Sequence, residues 1–138
     1  MPVIPDASTL LKWVLPPENE EYVEQALALA LAFNAGRIRM LVPSLWIYEV
    51  GNVLALKHPD LAEQQLSRLR RMEIPEISPD EATVQHTLRL VTTKKVSFYD
   101  AAYHAIAIVR RGLFVTADKK YLQAVGNDDH VIYLKDWQ

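Results

Sequence analysis

Between Val96 and Leu122 the chain reads VSFYDAAYHAIAIVRRGLFVTADKKYL, and the fold is decided in this stretch. Ser97 caps a helix that runs through Arg110, and Gly112 ends it. Leu113-Phe114-Val115-Thr116 follows as a compact apolar strand, and Asp118 starts the next helix. Helix, strand and helix in immediate succession are the repeating unit of a parallel sheet.

Outward from this stretch the same rhythm continues. The spacing predicts further strands at Val3–Ile4, Ile38–Val42, Glu73–Ile77 and Val131–Leu134. Helices are expected from Asp6 to the Pro16-Pro17 stop, from Glu18 to Asn34, from Pro43-Ser44 through Leu56, over Asp60–Met72, and from Ser78 to Thr93. The run ALALALAF at 26–33 alternates like a strand, but Ala and Leu are strong helix formers and Glu, Tyr and Gln precede it. The expectation is one three-layer α/β/α domain over residues 1–138 with a central five-stranded, mainly parallel sheet.

The 138 residues carry 15 Lys+Arg against 17 Asp+Glu, and half are apolar, which excludes a disordered chain and a strongly basic nucleic-acid binder. The absence of Cys removes disulfides, thiolate metal sites and a Cys nucleophile, and fits a reducing cytoplasm. No leader is expected, because Pro5, Asp6 and Lys12 interrupt the start of the chain. No membrane span is expected either: the longest apolar run, Ala26–Phe33, falls far short of the roughly 18 residues a span needs.

Four acids stand out. Asp6 ends the first apolar strand and Asp118 lies just past the 113–116 strand, while Glu49 and Asp100 sit in helices rich in apolar residues. Each has an ordinary explanation: Asp6 and Asp118 as helix N-caps, Glu49 as the partner of a Lys, Asp100 as a cap. Together they fall at strand ends and in the first turns of helices, where a parallel sheet gathers its ligands. Four carboxylates without a buried Lys or Arg repel one another, and a divalent cation resolves that. Oxygen-only donors favour Mg²⁺ or Mn²⁺ over zinc, which points to phosphodiester hydrolysis with the metal activating water.

Four segments carry a resemblance: IPDASTLLKWVLP at 4–16, VPSLWIYEVGNVL at 42–54, VSFYDAAYHAIA at 96–107 and FVTADKKYL at 114–122. In this order and spacing the chain resembles a PIN-domain protein, and more narrowly a VapC-type toxin ribonuclease of a type II toxin–antitoxin system. The resemblance implies that Asp6, Glu49, Asp100 and Asp118 coordinate Mg²⁺ or Mn²⁺ in a site that cleaves single-stranded RNA, and that Thr116 hydrogen-bonds beside it. It further implies a homodimer in the cytoplasm and a cognate antitoxin whose C-terminal segment enters the acidic groove, with DNA bound only through that antitoxin. Two residues depart from the pattern: Pro5 precedes the first acid where an aliphatic residue is usual, and His104 replaces an aliphatic residue one turn after Asp100.

Supporting candidates are Ser8, as a donor to Asp6; Asn52, three residues beyond Glu49 on the same helix face; and His104, as an orienter of Asp100 or a phosphate contact, with a packed histidine as its plainer reading. The pairs Arg37/Arg39, Lys94/Lys95, Arg110/Arg111 and Lys119/Lys120 read first as solvated helix ends and alternatively as an RNA path. Setting the four acids aside changes the balance to 15 basic against 13 acidic residues (17 less 4), so the remaining charge does not oppose RNA. The rival readings are a non-catalytic PIN-fold interaction module using Leu27, Leu31 and Phe33, and a PIN nuclease of RNA processing without a toxin role. An aspartyl phosphatase is disfavoured because Ala7-Ser8 follow Asp6 with no second acid two residues on, and a phosphotransfer receiver because no Lys stands clearly at the late strand end, although Lys119 is close.

Overall fold

Helices begin where short polar side chains can satisfy the free N–H groups of a first turn. In the computed structural model, which describes residues 1–138, Asp6 accepts from Thr9 N–H, Asp80 from Thr83 N–H, Ser97 from Asp100 N–H, and Asp118 from Lys120 and Tyr121 N–H. All four caps have extended backbone. The elements that result are β1 (Val3–Pro5), α1 (Ala7–Lys12), α2 (Val23–Asn34), β2 (Val42–Pro43), α3 (Trp46–Lys57), α4 (Ala62–Arg70), β3 (Glu76–Ile77), α5 (Glu81–Lys94), α6 (Phe98–Val109), β4 (Leu113–Thr116), α7 (Lys119–Val125) and β5 (Val131–Tyr133).

Several boundaries differ from the sequence reading: the second strand is Val42–Pro43 in place of the expected Ile38–Val42, the third is Glu76–Ile77 instead of Glu73–Ile77, and the first helix ends at Lys12, short of the Pro16-Pro17 stop. The first strand reaches Pro5, because Pro5 pairs with Val115 on a side where its missing N–H is not required. The second helix starts at Val23 instead of Glu18: Pro17–Asn19 make a single 3-10 turn, and Tyr22 stands in the left-handed region (φ 58°), which no helix passes through.

All five expected strands are present and every pairing is parallel, but they do not form one continuous five-stranded ladder. β1, β4 and β5 make a three-stranded sheet in the order β1-β4-β5, and β2 pairs with β3 alone. The two are joined by a single bridge, Val3 to Met40, in which Val3 N–H donates to Arg39 C=O and Leu41 N–H to Val3 C=O. In a parallel ladder the next two bonds would run from the N–H of residue 5 to residue 41 and from the N–H of residue 43 to residue 5. Both donors are prolines, so the ladder stops there.

Successive strand residues face opposite layers. Ile4, Val42 and Phe114 enter the larger core with Leu10, Val50, Leu54, Tyr103 and Ile106, which puts α1, α3 and α6 on that face. Val3, Met40 and Val115 enter a smaller core with Ala26 and Leu29 of α2 and Leu134 near the chain's end. Helices therefore cover both faces of a parallel sheet, as expected. No helix is long and apolar enough to cross a membrane.

Candidate active site

The carboxyl ends of β1 and β4 lie side by side, and Asp6 and Asp118 are the acids that leave them. Asp6 Oδ1 accepts Ser8 Oγ–H (2.7 Å), Thr9 N–H (2.9 Å) and Thr9 Oγ1–H (2.9 Å). Its Oδ2 accepts Thr116 Oγ1–H (2.5 Å). Thr116 in turn accepts Asp118 N–H (3.0 Å), so one hydroxyl ties the first acid to the last. The capping and site readings of Asp6 are compatible, since Oδ1 serves the helix and Oδ2 faces the neighbouring strand.

The other two acids arrive on helices. Glu49 lies in the first turn of α3 and its Oε1 accepts Tyr103 O–H from α6 (2.7 Å). Asp100 lies in the first turn of α6, with its backbone N–H donated to Ser97 Oγ (3.0 Å). Burial raises the pKa of Asp6 despite four donors that lower it. Burial likewise raises Glu49, with repulsion from Asp100 and Asp6 adding to it, and raises Asp100, with repulsion from Asp118 and Asp6 adding to it. Glu49 and Asp100 thus each feel the charge of two of the other acids.

No base neutralises them. The ion pairs of the chain are Lys12–Glu20 and Arg110–Asp80, and neither these nor the His104–Asp128 contact includes the four acids. As the side chains stand, no three acidic or histidine groups are gathered closely enough to hold a metal ion. Glu49 Oε2 and Asp118 Oδ2 nevertheless accept no hydrogen bond in the protein, and the Asp100 carboxylate is steadied only by the Ser97 hydroxyl. A set of uncommitted carboxylate oxygens with no sulfur or nitrogen donor suits a hard divalent cation.

A comparison with protein families matches the PIN domain to residues 3–127. The chain belongs to the PIN domain family. PIN domains are in general nucleases, and such nucleases generally use divalent metals, so membership supports a nuclease role for this one. Its fold is similar to the crystal structure of PAE2754 from Pyrobaculum aerophilum, at a TM-score of 0.65 and 20% identity over 98% of this chain and 90% of that one. No curated protein sequence matches it.

Within this PIN domain, two of the supporting candidates move away from the acids. Asn52 is exposed and does not reach Glu49: it shares the outer stripe of α3 with Tyr48 and Leu56, while Glu49 turns inward to Tyr103. His104 is fully buried and bonds Tyr121 O–H through Nδ1 (2.7 Å) and Asp128 through Nε2 (3.1 Å), so it touches neither Asp100 nor an open groove. Ser8 and Thr116 stand where expected, on Asp6. Of the basic pairs, Arg37/Arg39 and Arg110/Arg111 precede β2 and β4, at the opposite end of the strands from the acids, whereas Lys119/Lys120 directly follow Asp118. Thr9 and Tyr103 are the contributors that the sequence reading missed. Tyr103 follows Asp100 by three residues and so shares its helix face, a signal that was available.

Proposed function

We propose that this PIN domain is a Mg²⁺- or Mn²⁺-dependent endoribonuclease that hydrolyses RNA phosphodiester bonds, acting as the toxin of a VapC-type toxin–antitoxin pair. The observation that carries the reading is a set of four carboxylates without a basic partner about the carboxyl ends of β1 and β4, in which Asp6 and Asp100 repel Glu49, and Asp6 and Asp118 repel Asp100. A bound divalent cation would neutralise charge on the phosphoryl group and lower the pKa of an attacking water. Glu49, Asp100 and Asp118 would hold it through their uncommitted oxygens, with Asp6 contributing Oδ2. Ser8, Thr9 and Thr116 keep Asp6 ionisable and fixed in place, and Tyr103 does the same for Glu49.

The toxin role, a cytoplasmic location, a homodimer and a cognate antitoxin follow from the resemblance of the four segments, with promoter DNA reached only through the antitoxin. The test is cleavage of total RNA in Mg²⁺, Mn²⁺ or EDTA, together with growth on induced expression. Asp6→Ala and Asp100→Asn are expected to abolish both cleavage and growth arrest. Cleavage by a folded Asp100→Asn variant overturns the assignment. Titration with Mn²⁺ separates it from a non-catalytic interaction module, for which neither heat nor a rise in melting temperature is expected.

A further inference from the structure

A cavity of about 340 Å³ opens beside Asp118, and the four carboxylates do not account for it. Lys12, Glu21, Tyr22, Lys119, Lys120 and Tyr133 line it, and Asp118 is the wall it shares with the acids, so three ammonium groups face two carboxylates. It lies past the ends of β4 and β5, the end of a parallel sheet where ligands bind. Its size falls at the small end of the usual range for small-molecule sites, about 300–1,000 Å³.

The lining has the chemistry of a nucleotide. Lys119 and Lys120 are exposed and form no ion pair, whereas Lys12 is already held by Glu20 at 3.3 Å. Two free ammonium groups beside a carboxylate site suit a backbone phosphate that is not the one being cleaved. Across the cavity, the Tyr22 and Tyr133 hydroxyls are 2.7 Å apart, with their rings edge to face at 5.3 Å. One O–H serves the bond between them and the Glu21 carboxylate lies beside Tyr22 as an acceptor for the other, which leaves the pair lone pairs to accept the proton of a ligand hydroxyl. Tyr22 reaches this position from a left-handed backbone, an unusual conformation for a side chain of its size.

We infer that this cavity is the subsite for the nucleotide next to the cleaved bond. Lys119 and Lys120 take its phosphate, and the Tyr22–Tyr133 pair takes its ribose 2′-hydroxyl, which separates RNA from DNA. The inference rests on the nuclease reading for its neighbour, the scissile bond, but it is tested by binding alone.

The experiment measures fluorescence anisotropy of labelled octauridylate and of its 2′-deoxy counterpart with the full chain in EDTA, where no cleavage occurs. The wild type is expected to bind the RNA more tightly. Tyr133→Phe should weaken RNA binding about fivefold and leave the deoxy oligomer unchanged, which is the loss of one hydrogen bond. Lys119→Ala/Lys120→Ala should weaken both oligomers about tenfold and flatten the dependence of log K on log salt by roughly 1.4. The pair Arg37→Ala/Arg39→Ala, at the far end of the strands, is the charge control, and melting curves check that each variant folds.

Equal weakening by the two double variants, an unchanged RNA preference in Tyr133→Phe, or no binding by the wild type each overturns the subsite. Failure of the wild type to cleave RNA in Mg²⁺ or Mn²⁺ overturns the nuclease reading instead and leaves the binding result to decide the subsite.

Discussion

At the scale of single residues, the site depends on hydroxyls. Thr116 is fully buried and uses one Oγ1 twice, donating to Asp6 Oδ2 and accepting from Asp118 N–H. Thr116→Val keeps the shape but leaves a buried carboxylate short of a donor and a backbone N–H short of an acceptor. A loss of about 1–3 kcal/mol is expected in urea unfolding; a value near zero would mean that water replaces both bonds. Glu49 gives a prediction of opposite sign. Its folded pKa is raised above 4.5 by burial and then by Asp100 and Asp6, so the stability it contributes is complete below about 4.5 and is lost as pH rises through the raised value. Glu49→Gln retains an acceptor for Tyr103 and removes the charge. In EDTA at neutral pH it should therefore be the more stable protein, by roughly 0.5–1 kcal/mol after allowance for solvent screening, with the gain vanishing toward pH 4. A Gln variant that melts below the wild type at pH 7 contradicts this. Asp6 and Asp118 were legible in the sequence because a strand-end acid before a helix is visible as a cap. The Tyr103–Glu49 bond was not, since its partners are 54 residues apart. Asn52 misled because a spacing of three residues sets angular proximity on a helix without saying which of the two side chains turns inward.

At the scale of elements, capping and strand composition made the order of strands and helices readable, and local chemistry set most boundaries. What escaped was pairing. Whether β1 joins β2 over one bridge or several depends on which N–H faces which neighbour, and the consequence of Pro5 and Pro43 appears only once they are adjacent in space. The start of α2 escaped for a related reason: the acids at Glu18, Glu20 and Glu21 suit a helix start, but the tertiary bond between Tyr22 and Tyr133 accompanies a turn there instead. Gly112 shows how tightly these joins are made. A Cβ at Gly112 would lie 2.4 Å from Pro2 C=O and 3.0 Å from Ile4 Cδ1, so α6 can pass into β4 beside β1 only without a side chain. The same carbonyl accepts Leu113 N–H at 2.8 Å, so it cannot withdraw without breaking the first bond of the β1–β4 ladder. Gly112→Ala is expected to cost about 1–3 kcal/mol or more by overpacking and to reduce nuclease activity through displacement of Asp6 relative to Thr116. Unchanged urea unfolding would show that the join has slack.

At the scale of the whole molecule, the four acids come from four segments, and His104 shows how one of these segments is anchored behind the site. It lies on α6, one turn after Asp100, stacks on Phe114 of β4 with ring centroids 6.0 Å apart, and bonds Tyr121 of α7 and Asp128 of the loop before β5. Three elements that frame the acids are therefore held by one imidazole. Burial lowers its pKa below 6.5; Asp128 opposes that shift, while His130 and Lys94 add to it. The folded ring is accordingly neutral, donating Nε2–H to Asp128 and accepting Tyr121 O–H at Nδ1. Below pH 6.5 the unfolded chain takes up a proton that the folded chain does not, so stability falls as pH falls, by at most about 1.4 kcal/mol per pH unit for one group. The raised carboxylates contribute with the opposite sign in an overlapping range, so the wild-type profile alone does not isolate His104. The comparison that does is His104→Gln, which keeps a donor and an acceptor and leaves the acids in place. It is expected to be less stable than the wild type at pH 8, through loss of the ring's packing, and the gap is expected to narrow as pH falls from 7 to 5. Parallel profiles for the two proteins over that range would mean that His104 protonates as readily in the fold as outside it, and that its anchoring of α6, α7 and the loop before β5 is indifferent to charge.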